Sequence, residues 1–525
     1  MWYIILYVRF FWKKGEGDLK KGILQKATGR LVITAVLALL QIVITLLAIF
    51  LMSDAFVYFT IAVTALSLIV VVYIVNTPTN PAYKLAWIIP ILSFPIFGGL
   101  LYIISKGQAS TKELRNKEKK IASKVYAHFP SDEDAMRAIG AVDPDSELTA
   151  KYLSGVGYPL CRGVREEYLP SGEACFEAMK RELARAEKYV FIESFILRED
   201  SFWRELFVPL CEKARNGVDI RIIYDGMGSS TLTSDFKKRM ADVGIRVMEF
   251  NPFKPSVTVI QNNRDHRKIF VVDGKVAITG GVNIGDEYIN RLERFGHWKD
   301  ASVLLEGEAA KSFALMFLKN WYLDNPIDKN IAEFLPEFTG KHSDSLVEPY
   351  ADSPLDSENT GERVYLSMIS RAKEHIYITT PYLIPDNELI TALSLAAKSG
   401  VDVRIITPAV PDKWYVHMVT RSFYPELVNN GVKIYEYTPG FIHSKTLVVD
   451  GKRAVVGSVN LDYRSLFLHF ECAAFISGSD MISDMTADFL ETQAKSDIIT
   501  PDKFRLIKRR HGIMMSILRL FAPIF

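Results

Sequence analysis

His266-Arg267-Lys268-Ile269-Phe270-Val271-Val272-Asp273, running on to Gly280-Gly281-Val282-Asn283, recurs 177 residues later. The second copy is His443-Ser444-Lys445-Thr446-Leu447-Val448-Val449-Asp450, running on to Gly457-Ser458-Val459-Asn460. In both copies the lysine follows the histidine by two residues, the aspartate by seven and the asparagine by seventeen. Four residue types repeated at identical spacing are hard to obtain by chance, so each copy reads as half of a duplicated site. The apolar run between lysine and aspartate reads as a strand, and Asp273-Gly274 as a tight hairpin turn.

Working outward, Gly217-Val218-Asp219-Ile220-Arg221-Ile222-Ile223 matches Gly400-Val401-Asp402-Val403-Arg404-Ile405-Ile406 almost letter for letter, 183 residues apart. Strand-like and helical stretches alternate in the same order around both copies. The fold expected is α/β, two duplicated sandwich domains at 159–330 and 363–500, each a mixed sheet covered by helices. The Asp, Ser, Pro and Gly content of 331–362 reads as a connection between them.

Composition bounds the function. The 525 residues hold 63 basic and 61 acidic side chains, so bulk charge points to no polyanionic partner and nucleic acid is not expected. Cys161, Cys175, Cys211 and Cys472 are scattered, with no C-x-x-C pair, which fits free thiols better than disulfides or a zinc site. Apolar residues make up 49% of the chain and concentrate in its first hundred positions.

There, 31–52 and 55–75 are uncharged and each long enough to cross a bilayer as a helix, with Ser53-Asp54 between them. They read as a transmembrane helical hairpin. Lys13, Lys14, Lys20, Lys21, Lys26 and Arg30 before it put the N-terminus on the cytoplasmic side. A third apolar run, 85–104, is interrupted by Pro90, Pro95 and Gly98-Gly99 and followed by a lysine-rich stretch. It reads as a broken, re-entrant or interfacial element within a membrane region 31–105, leaving the catalytic part cytoplasmic. Residues 1–30 read as an interfacial segment, 106–158 as a basic linker, and 501–525 as an amphipathic tail attracted to anionic lipid.

The chemistry follows from the repeated residues. A histidine and a lysine at i and i+2 on a strand share a face, and an imidazole beside an ammonium suits a phosphate. Lys268 and Lys445 would neutralise non-bridging oxygens, with Asn283, Ser458 and Asn460 as further donors. Of His266 and His443, one would attack phosphorus to form a phosphohistidine, while the other acts as acid and then base. Neither a metal nor a cofactor is required. Asp273 and Asp450 complete the catalytic sets or hold the turns. Each imidazole needs a partner to fix its tautomer. Glu471 suits His443, and Asp300, with Glu193 as a weaker candidate, suits the first half. His297, His417 and His469 lack such surroundings and read as ordinary core or surface residues.

These motifs resemble those of the phospholipase D superfamily, in its two-motif form. The resemblance is closer to bacterial cardiolipin synthases of that type. It extends to the N-terminal hairpin, to Phe191-Ile192-Glu193-Ser194-Phe195, and to Asn460-Leu461-Asp462-Tyr463-Arg464-Ser465 with Glu471 following. The resemblance implies two phospholipase D-like domains, transfer between two phosphatidylglycerols to give cardiolipin and glycerol, His266 as nucleophile and His443 as acid/base. Gly281 departs from it, since the second copy carries Ser458. A hydrolase using water, a membrane-anchored nuclease and a non-catalytic membrane scaffold are the competing readings.

Overall fold

The computed structural model describes residues 56–524 except 107, 130–132, 253–258 and 339–344, with a few helical positions between 36 and 46. The expected interfacial segment 1–30 and nearly all of the first span lie outside these residues. The described residues form two compact units, one of those up to Lys112 together with Ser230–Phe236 and the described part of 251–263, the other of the remainder.

In the N-terminal unit, Phe56–Val75 is a single uncharged helix, and Val57–Val75 is long and apolar enough to cross a membrane. The third apolar run forms two helices, Pro81–Ser93 and Pro95–Lys106, separated at Phe94. At 13 and 12 residues each is about 20 Å long, short of the ~30 Å hydrocarbon core. The chain doubles back between them. A Cβ on Gly98 would lie 2.5 Å from the Pro90 carbonyl oxygen, so only glycine permits the approach. Trp87 and Tyr102 meet edge to face across the pair.

The larger unit is built on two sheets with the same internal order. In the first, Arg165–Leu169, Ser302–Glu306, Val276–Gly280, Ile269–Val272, Tyr189–Ser194, Asp219–Asp225 and Arg246–Phe250 lie side by side. In the second the equivalent run is Leu346–Asp352, His469–Ser477, Arg453–Gly457, Thr446–Val449, His375–Thr379, Asp402–Pro408 and Lys433–Tyr437. The duplication is therefore structural, strand for strand. Helix Glu308–Asp324, buried on almost every side, packs against strands of both sheets.

Two stretches carry more structure than their composition suggests. Within 331–362, Leu346–Asp352 is a fully buried strand paired antiparallel with His469–Ser477. Its Pro349 and acidic residues hide the β pattern that burial on both faces requires. Residues 106–158, expected as a basic linker, are largely helical, and Gln108–Val125 buries Glu118 against Lys319. Ser146 and Ser154 bind Ser477 and Glu348 of the second sheet. The polar surface visible in the sequence is only the outer face of these helices.

The motif aspartates build turns. Asp273 and Asp450 have φ of 54°, each followed by a glycine with positive φ, as the two central residues of a type I′ turn require. The Asp273 carboxylate accepts from the amides of Glu187, Lys188 and Tyr189 at 2.8–2.9 Å. Asp450 does the same for Lys373, Glu374 and His375, and takes an ion pair from Arg453 at 2.6 Å. Each lies beyond the four-residue strand from its lysine, five residues and about 16 Å away. Of the two roles expected for them, catalytic or turn-holding, their contacts fit the second: they clamp the starts of Tyr189–Ser194 and His375–Thr379.

Asp273→Ala or Asp450→Ala should lower unfolding stability by roughly 2–4 kcal/mol, because three backbone amides lose their buried carboxylate acceptor. Thermal melting of the purified chain checks this. An unchanged melting temperature with lost activity would restore a catalytic role.

Candidate active site

The residues that precede each motif histidine pair with the other half of the chain. Arg264-Asp265 runs parallel to His469-Phe470, and Gly440–Ile442 runs parallel to His297–Lys299. At the end of each short ladder the histidine itself is captured: the His266 amide donates to the Phe470 carbonyl at 2.9 Å, and the His443 amide to that of Lys299 at 2.7 Å. The next residues are Glu471 and Asp300.

The orienting carboxylates are therefore crossed relative to expectation. His266 Nδ1 lies 2.9 and 3.0 Å from the two oxygens of Glu471, and His443 Nδ1 lies 2.7 Å from Asp300 Oδ2. Chain order matches Glu471 to His443, because both are in the second half. Within one sheet, however, His469–Ser477 is two strands from Thr446–Val449, about 9.5 Å away. An acid cannot reach its own histidine, and does reach the other. Glu193, the weaker candidate, is on neither histidine; it pairs with buried Arg267 at 2.8 Å and accepts from Asn320.

Both histidines are largely buried. Burial, then the charges of Lys268 and Lys445, holds His266 well below the usual imidazole value. Burial and Lys445 push His443 down to about 4, against the pull of Asp300. Each ring is thus neutral. With Nδ1–H donated to a carboxylate, each Nε2 keeps its lone pair. Burial would raise the Asp300 carboxyl, but His443 and Lys445 outweigh it and keep it below its ordinary value.

The lysines are also buried, each donating to the carbonyl of its own histidine. Desolvation drops Lys268 to about 8 and Lys445 to about 7. Two ammonium groups this starved of counter-charge form a receptor for an anion. Asn283 Oδ1 accepts from the Ile196 amide at 3.1 Å, while Asn460 Oδ1 is buried without a partner. The Ser458 hydroxyl, expected on the phosphate, instead donates to Glu471, as does Ser465.

Ser458 and Gly281 occupy equivalent positions, their amides bonding to Cys472 and Ala301, the residues after Glu471 and Asp300. A Cβ on Gly281 would lie 2.0 Å from Asp300 Oδ1 and 2.9 Å from the His443 carbonyl oxygen. The shorter acid brings its carboxylate back against the main chain, and only glycine leaves room for it.

Sequence reasoning missed His469. Its ring lies 5.5 Å from that of His266, and its Nε2 accepts from Arg464 at 3.3 Å. Burial pushes it down to about 3. Its place beside Glu471 was the available signal. Phe195 packs edge-on against His266, and Trp298 and Tyr288 against His443, supplying the apolar walls. His297 and His417 remain outside this cluster, bonded to Tyr437 and lying near Glu436. The Glu471 carboxylate with His266 and His469 also has the donor types of a metal site. The Arg464 bond to His469 Nε2 calls for a proton on Nδ1, which lies 3.7 Å from Glu471 Oε1.

Gly281→Ser should reduce activity by about 100-fold through displacement of Asp300, whereas Ser458→Gly, which removes one donor to Glu471, should cost about tenfold. Steady-state rates of the two variants check this, and equal small losses would contradict the packing argument.

The chain is similar to known proteins in sequence and in fold. The family model described as "Cardiolipin synthase, PLD-like domain" matches 179–304 and 365–492, one match per half, and "Phospholipase_D-nuclease N-terminal" matches 65–106. A protein of Streptococcus mutans is 42% identical over 458 residues, covering 86% of this chain and 99% of its own. A cardiolipin synthase of Geobacillus kaustophilus is 36% identical, covering 85% of this chain and 89% of its own. Cardiolipin synthase 2 of Bacillus anthracis is 33% identical, covering 85% and 87%. Among solved structures, phosphatidylserine synthase of Haemophilus influenzae aligns at a TM-score of 0.54 and 13% identity, over 73% of this chain and all of its own, which speaks to the fold. The N-terminal match and the Val57–Val75 helix mark membrane association. Two crossed histidine–carboxylate pairs on a duplicated sheet, with full-length relatives of this kind, make the chain a member of the phospholipase D-type cardiolipin synthase family, an enzyme of the phosphatidyltransferase class.

Proposed function

We propose that the protein transfers a phosphatidyl group from one phosphatidylglycerol to another, giving cardiolipin and glycerol through a phosphohistidine on His266. The observation that carries this reading is the Glu471–His266 contact, which leaves Nε2 of a neutral, buried imidazole as the nucleophile. Nε2 attacks phosphorus, and the bond to the headgroup glycerol breaks as His443 gives that oxygen a proton. Free glycerol leaves. His443, now neutral, takes the proton from a hydroxyl of the second phosphatidylglycerol as its oxygen attacks phosphorus, and His266 departs unchanged. His443 is neutral in the empty site, so the incoming phosphodiester must supply the charge that favours its protonated form, with Asp300 holding Nδ1. Lys268 and Lys445 take the non-bridging oxygens, and Asn283 and Asn460 offer their amide groups.

The apolar surroundings favour a lipid over nucleic acid. Helix Pro501–Arg519 packs Met515 and Arg519 on the Trp414–Val428 helix, and leaves Leu506, Ile513, Ile517 and Leu520 exposed among arginines. That face suits an anionic bilayer surface, with the catalytic part on the cytoplasmic side.

Purified full-length protein in mixed micelles with phosphatidylglycerol alone should produce cardiolipin and glycerol in equal amounts. Phosphatidic acid in their place would mean water is the acceptor, and unchanged lipid would remove the transferase reading. His266→Ala or His443→Ala should each lower turnover by about a thousandfold or more without loss of folded protein.

Phosphate capture needs both lysines as ammonium ions, so each one already neutral must take up a proton on binding. The inhibition constant of a competing glycerophosphodiester should therefore weaken by about tenfold or more between pH 7 and 9. An affinity flat across that range would contradict the lysine assignment.

A further inference from the structure

Helices Thr360–Ile369 and Asn387–Lys398 of the second half start close together, and three carboxylates meet where they do. Glu362 lies in the first turn of one helix. Asp386 caps the other, its Oδ1 accepting from the Leu389 amide at 3.0 Å, and Glu388 follows it. One carboxylate oxygen from each falls within 4.8 Å of the other two. Asp386 is 1% exposed, and its second oxygen, Oδ2, has no hydrogen-bond partner. Glu362 is also buried, with one bond from Asn359 at 3.3 Å, whereas Glu388 is exposed. Among the described residues no lysine or arginine pairs with any of the three.

A buried carboxylate oxygen without a donor is costly, and a second and third carboxylate beside it add repulsion. A proton shared between Asp386 and either neighbour, Glu362 or Glu388, would relieve one pair and leave the third carboxylate without a counter-charge. A hard cation would use all three. Calcium holds its oxygens at about 2.3–2.6 Å, so two ligands on opposite sides of the ion stand about 4.6–5.2 Å apart. Oxygens within 4.8 Å of one another fit inside one such shell, and the exposed side at Glu388 leaves room for entry and for water ligands. We propose that Glu362, Asp386 and Glu388 bind a divalent cation of the calcium or magnesium class, which ties the two helix starts together. The site is separate from the histidine pairs, yet it lies beside Tyr463, two residues before the Ser465 that holds Glu471.

The full chain in detergent micelles, stripped with chelator, should bind one calcium or magnesium ion per chain by titration calorimetry. Its melting temperature should rise by about 2–5 °C at saturation. Asp386→Asn removes the charge, while asparagine caps a helix as well as aspartate does, so this variant should fold and lose both the binding and the rise. Glu362→Gln should behave likewise. Absence of binding and of any thermal shift in the unaltered protein, as a shared proton would give, overturns the proposal, as does binding that survives Asp386→Asn.

Discussion

A β-sheet spaces its strands about 4.8 Å apart, and that distance decides who orients whom in this site. Asp300 and Glu471 stand at equivalent places in the two halves, each two strands from the histidine of its own sheet. Neither can serve that histidine. The chain resolves this by pairing the residues before each histidine with those before the opposite acid, so that the backbone register fixes the crossed contacts before any side chain chooses a rotamer. The candidate site is thereby built by both halves together. Either half alone would hold a histidine with no partner and an acid with no target.

The crossing also makes the two pairs unequal. Glu471 is the longer acid, reaches His266 with both oxygens, and is held by the hydroxyls of Ser458 and Ser465. Asp300 is shorter, meets His443 with one oxygen, and depends on the bare backbone of Gly281 for space. A duplicated unit has diverged so that one histidine sits in a tight polar clamp and the other in an aromatic wall of Trp298 and Tyr288. Divergence of this kind suits the unequal roles proposed for the two histidines.

Much of this is legible in the sequence because the duplication prints itself there: the repeated spacing marks both sets of His and Lys, the turns at Asp273 and Asp450, and the strand–helix alternation. The pairing of acids is not legible, since chain order favours neighbours in sequence while the sheet separates them in space. The role of Ser458 is hidden for a related reason; its hydroxyl is claimed by Glu471, which no spacing rule reveals. Leu346–Asp352 is masked by a proline and acidic residues in a strand buried on both faces. His469 looks ordinary because its significance comes only from lying against Glu471 and His266.

The crossed pairing itself can be observed directly by nitrogen-15 NMR of histidine-labelled protein, in which an imidazole Nδ1–H bound to a carboxylate gives a strongly downfield proton. Two such resonances are predicted, one removed by Glu471→Gln together with its assignment to His266, the other removed by Asp300→Asn and belonging to His443. If Glu471→Gln instead abolished the His443 resonance and spared that of His266, each half would be orienting its own histidine, and the crossed pairing would be contradicted.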